Sequence, residues 1–145
     1  MTTKKILITL APIFLLSIAT NSFGQQINPV GAWRVDLPGT LDLMEDSIRQ
    51  KFEGLNEETR SRVTLSFQER KFVFTNNGTF RAMWKFRDVS KVSEGTWNIA
   101  GQRLTIEADN RGVAYDVSMS SSGGLILMGT DKGGIFNNLY LEPEQ

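Results

Sequence analysis

Three features of the sequence lead to a mainly β chain, folded as an eight-stranded antiparallel up-and-down barrel with a two-helix insertion after the first strand. Turn signals punctuate the second half of the chain, at TNNG (75–78), Ala100-Gly101, DNRG (109–112), SSSGG (120–124) and DKGG (131–134); over most of it they stand about ten to twelve residues apart, the rhythm of an antiparallel meander. The segments between these turns alternate apolar and polar residues with the period of a half-buried strand. No strand–helix–strand alternation occurs, so a parallel sheet is not expected. An antiparallel sheet exposes its edges unless it closes, and about eight strands is the number at which closure leaves an interior for side chains or one small ligand.

The elements follow in order. GAWRVDL (31–37) alternates Trp33, Val35 and Leu37 with Ala32, Arg34 and Asp36, and Pro38-Gly39 is read as its end. Residues 40–55 change period: Leu41, Met44, Ile48, Phe52 and Leu55 recur every three or four positions and predict one amphipathic helix ending at Gly54. Asn56 is a good N-cap for a second helix reaching about Glu69, with Glu57 and Glu58 in its first turn and Val63 and Phe67 on its buried face. The strands KFVF (71–74) and TFRAMWKF (79–86) follow, then a polar loop RDVSKVS (87–93). The hairpin SEGTWNIAGQRLTI leads to RLTIEA (103–108), VAYDVSM (113–119), LILMG (125–129) and IFNNLYLE (135–142).

The N-terminus reads differently. Lys4 and Lys5 precede an apolar-rich run from Ile6 to Ile18, and Ser22 and Gly24 supply small residues before a cut after Gly24. This is the pattern of a secretory signal peptide over residues 1–24, leaving a barrel domain at 25–145. A retained anchor is the rival reading, but the run falls short of the roughly 20 apolar residues a span needs and Pro12 interrupts it. The expected location is periplasmic or extracellular, with no membrane span after cleavage.

Composition narrows the function. Removing Lys4 and Lys5 from 16 basic side chains leaves 14 against 16 acidic ones, with no basic stripe, so nucleic acid is not an expected partner. The chain has no cysteine, hence neither a disulfide nor a lipid-attachment thiol. It has no histidine, which removes the commonest general base and transition-metal ligand. No metal site, cofactor motif, phosphate loop or nucleophile elbow is present, and a non-enzymatic protein is expected. Glu57-Glu58 are neighbours that do not face each other on a helix and serve its N-terminal dipole. Arg81, Lys85 and Arg87 form a basic run that reads mainly as a solvated face.

The aromatic residues are the candidate site. Phe72, Phe74, Phe80, Trp84, Phe86, Trp97 and Tyr115 fall on alternating positions that point inward in a barrel. Aromatic walls build small-molecule pockets, yet each ring buries about 150–250 Å² and the same set fits a filled lumen. Trp97 follows Gly95 by two, as Trp33 follows Gly31. Both tryptophans are expected to pack, with glycine easing a close backbone approach, while Trp84 is the better ligand contact.

Residues and order together carry a resemblance. The Gly-X-Trp of GAWRVDL, followed by FTNNGTF, EGTW and QRLTI, is similar to the blocks of bacterial secreted lipocalin-like domains over about residues 29–142. The resemblance implies a barrel that takes a small apolar molecule at its open end, with Trp33 packing at the closed end. It also implies an arginine stacked on this tryptophan near the last strand. IFNNLYLE has none, leaving Arg103 or Arg111 for that role. Two functions follow: a binding protein for a small, largely apolar ligand, or a filled barrel that engages a protein partner of the cell envelope through its helices or a sheet edge.

Overall fold

The structure is a computed structural model that describes residues 26–131 and 137–145. The segment read as a signal peptide, most of the DKGG turn and the start of IFNNLYLE lie outside the described residues. Eight strands form one closed antiparallel barrel in sequence order: β1 (Gly31–Val35), β2 (Lys71–Phe74), β3 (Thr79–Phe86), β4 (Val89–Ala100), β5 (Arg103–Ala108), β6 (Arg111–Met119), β7 (Leu125–Gly129) and β8 (Asn138–Pro143). Closure is made where β1 pairs β8, with Val35 opposite Leu141 and Trp33 opposite Pro143. Among the described residues every strand pairs with a neighbour on both sides over at least part of its length.

Strand alternation places one residue in two inside. Phe74, Leu104, Leu125, Leu127 and Leu141 are fully buried there, joined by Val35, Phe72, Phe80, Ile106, Val117 and Leu139. The opposite parity carries the cross-strand ion pairs Arg34–Glu142, Arg81–Glu94 and Arg103–Asp116, at 3.0–3.1 Å.

Three helical segments join β1 to β2 at one end of the barrel: α1 (Leu37–Asp42), α2 (Asp46–Glu53) and α3 (Glu57–Gln68). The strand ends at Val35, two residues earlier than expected, because Asp36 caps α1: its carboxylate accepts from Gly39 N at 2.9 Å, and Pro38 occupies the first turn, where its missing N–H costs nothing. Pro38-Gly39 therefore starts a helix as well as stopping a strand. The single helix expected over 40–55 is broken at Leu43–Glu45. Two carbonyls at the break find side-chain donors: Arg49 donates to Leu41 O at 2.7 Å, and Asn138 Nδ2 donates to Leu43 O at 3.0 Å. An apolar period of three to four continues across the break and hides it; the donors from Arg49 and the β8 residue Asn138 help to make it favourable. α3 begins as expected, with the Asn56 side chain accepting from Thr59 N at 2.8 Å. Val63 and Phe67 are half-buried on the face toward β1 and β3, and Leu65 is exposed.

Of the polar loop expected at 87–93, residues 89–93 are strand. Arg87 and Asp88 both adopt left-handed backbone (φ 50° and 61°), forming a two-residue turn, and the β3–β4 ladder runs up to Phe86 opposite Val89. β2 pairs β3 only as far as Met83, and β5 pairs β4 only from Gly95. The tip of this hairpin is thus a two-stranded ribbon projecting past the barrel wall on the helix-covered side.

Gly95 marks where β4 joins the wall. A Cβ there would sit 1.8 Å from Glu107 O and 2.8 Å from Ala108 Cα, so only glycine permits the approach of the two backbones. Gly31 is required for another reason, a φ of 143° that side-chain-bearing residues rarely adopt.

Candidate functional site

The seven inward aromatics divide by height in the barrel. Away from the helices, Phe72, Phe74 and Phe80 are buried and in ring contact: Phe72–Phe80 at 5.8 Å and Phe74–Phe80 at 5.2 Å between centroids. Trp97 meets Phe74 edge-on at 5.7 Å. Its position is fixed twice more, by Nε1 donating to Thr75 O at 3.0 Å and its backbone N donating to Gly78 O at 2.9 Å. Trp33 is held similarly, buried with Nε1 donating to Pro29 O at 2.8 Å. Both indoles are thus held by a hydrogen bond to a backbone carbonyl. Residues 26–30 and the 75–78 turn lie at this end, which is closed.

Toward the helices the packing loosens. Trp84 and Tyr115 are half-buried. Phe86 is 44% exposed, a correction to its expected place inside: it keeps the inward parity but lies on the projecting ribbon, where no opposite wall exists for it to meet. Its ring instead carries the Arg87 guanidinium at 5.4 Å. Ser93, buried at the foot of the ribbon, donates a short hydrogen bond to Asp109, tying the ribbon to the β5–β6 turn.

Arg70 completes this end and was not singled out from the sequence. It precedes β2 and shares the parity of Phe72 and Phe74, so extending the alternation back by one step would have placed it inside. Its backbone is fixed on both sides, with Arg70 N donating to Phe67 O and Val35 N donating to Arg70 O, each at 3.0 Å. The guanidinium lies 4.2 Å from the Phe67 ring centroid and 5.0 Å from that of Trp84. Its buried Nε has no hydrogen-bond partner among the described residues. Burial lowers the Arg70 pKa from its ordinary value, an effect partly offset by Tyr115. Burial likewise pushes the Tyr115 phenol up, and the positive charge of Arg70 works against that rise.

The other charges are engaged elsewhere. Arg81 pairs with Glu94, and Lys85 with Glu69 at 3.7 Å, so two of the three side chains of the basic run are ion-paired. Arg103 pairs with Asp116 and Arg111 is exposed; among the described residues no guanidinium stacks on Trp33. Two polar clefts open on the outside of the barrel. One of about 510 Å³ is bordered by Glu94, Gly95, Glu107, Asp109 and Arg111, and one of about 400 Å³ by Arg34, Glu69, Lys71 and Glu144. Neither is lined by any of the seven aromatics.

A family model described as a lipocalin-like domain matches residues 31–124, from the first residue of β1 to the turn before β7. No curated protein and no solved structure matches the chain.

Proposed function

Since the chain belongs to the lipocalin-like domain family, we propose that it is a non-enzymatic binding protein that holds a small, largely apolar ligand at the helix-covered end of its barrel. The observation that carries this reading is the gradient along the inner wall. Phe72, Phe74 and Phe80 are buried, whereas Trp84 and Tyr115 are only half-buried, and a bound molecule would complete the packing there. Aromatic walls with a few convergent polar groups are the usual lining of such sites. Export fits the same picture: the leading 24 residues read as a removable signal peptide, which would place the protein in the periplasm or outside the cell.

The test is tryptophan emission during titration with neutral apolar probes, both aliphatic and aromatic. A saturable change that is lost in Trp84→Phe and kept in Trp33→Phe supports the site. A flat response to every probe overturns it. A partner-binding reading draws on the projecting ribbon, where Phe86, Val89 and Val92 are 44–54% exposed. It predicts that Val89→Asp abolishes capture of an envelope partner while probe binding is unaffected.

A further inference from the structure

Arg70 is a cation held among rings with nothing opposite in charge beside it. Among the described residues no carboxylate lies within ion-pairing distance of it. The nearest acids in sequence and strand pairing are already committed, Glu69 to Lys85 and Glu144 to Lys71. The segments outside the described residues, 1–25 and 132–136, contain no Asp or Glu. Burying a cation is costly unless it is paired, and rings supply only part of what a carboxylate would. Such a site favours an incoming anion. The planar guanidinium fork matches a carboxylate or a phosphate, and Tyr115, whose phenol and the Arg70 charge influence each other, offers a neutral donor.

We infer that Arg70, with its guanidinium against the rings of Phe67 and Trp84, receives the oxyanion head of an amphipathic ligand whose apolar body lies along the inward aromatics. The inference rests on the binding reading above and gives its ligand a chemical class: an apolar chain or ring system ending in carboxylate or phosphate. The tail would run toward Phe72 and Phe80, and the head would sit at the rim under α3, open to exchange with solvent. The outer clefts are poorer candidates, because the basic side chains at the 400 Å³ cleft already hold carboxylates.

The test compares three probes of one chain length: dodecanoate, dodecyl phosphate and dodecanol. The expected result is that at least one anion binds roughly tenfold or more tightly than the alcohol, the scale of one charge-assisted contact. Arg70→Met should bring that ratio to about one, whereas Lys85→Gln, which removes an exposed cation elsewhere, should keep it. Equal binding of all three probes by the unaltered protein, or a preference that survives Arg70→Met, overturns the inference and leaves the apolar site standing. Failure of all three to bind sinks both. Should Arg70→Met not fold, Arg70→Lys and Tyr115→Phe carry the test: each is expected to reduce the preference, and a preference unchanged in both overturns the inference. The two anions separate the head groups, since the tighter one names the source.

Discussion

The guanidinium of Arg70 stands 5.0 Å from the ring of Trp84, across the gap between the last helix and the third strand. Both lie near the end the helices cover, Trp84 on β3 and Arg70 just before β2. The contact joins a half-buried tryptophan to a largely buried cation. If Arg70 were mainly a structural strut, removing its charge would be expensive. Replacing it by methionine keeps a flexible apolar stem and discards an unpaired, desolvated charge, so stability should stay within about 1 kcal/mol of the parent. Urea denaturation checks this, and a loss of several kcal/mol would mark Arg70 as part of the framework.

The buried stack at the closed end should behave oppositely. Phe74 is 1% exposed and touches both Phe80 and Trp97. Phe74→Ala is expected to cost ~3–5 kcal/mol, the range for a truncated core phenylalanine. Trp84→Ala, at the half-exposed end, should cost clearly less. Equal losses in the two variants would mean that the barrel is as tightly filled under the helices as below.

Two glycines give a sharper contrast. A methyl group at Gly95 collides with the backbone of Glu107, which cannot swing away as a side chain could. Gly95→Ala should therefore lower stability by ~2 kcal/mol or more, or prevent folding, by the usual scale of overpacking. At Gly112 nothing lies within 4 Å of the added carbon. Gly112→Ala should be neutral or stabilising by up to ~1 kcal/mol, through the lower entropy of its unfolded chain. Thermal melts of the two variants distinguish the positions directly.

Alkaline pH should expose Tyr115. Burial raises its folded pKa above the ordinary value of 10.0, with Arg70 limiting the rise. The folded state thus holds this proton more tightly than the unfolded one. The stabilisation is fully present below pH 10 and is lost as pH climbs through the folded value. Denaturation midpoints of the parent should fall faster than those of Tyr115→Phe above pH 10. Parallel profiles would show that Tyr115 does not contribute.

Much of the barrel was legible because strand alternation is local. Once Trp33, Phe72, Phe80, Trp97 and Leu104 are taken as one parity, the inner wall follows residue by residue, and turn residues such as Asn77-Gly78 and Asp109-Asn110 fix where it folds back. Asn56 announced its helix in the same local way, by a cap. Parity also reached one residue too far: it assigns Phe86 to the interior, yet says nothing of where the wall stops. That boundary is set by the neighbours' lengths, with β2 ending its pairing at Met83 and β5 beginning at Gly95.

By itself, then, the sequence determined the strand order and most of the inward set, since each depends on periods and turns within a few residues. Tertiary structure alone decided that the helix breaks at Leu43 to meet Asn138, that Phe86 faces solvent, and that Arg70 lies between Phe67 and Trp84 with no acid opposite. Those outcomes depend on what residues distant in the chain bring to one place, and on how much water closure leaves around a charge.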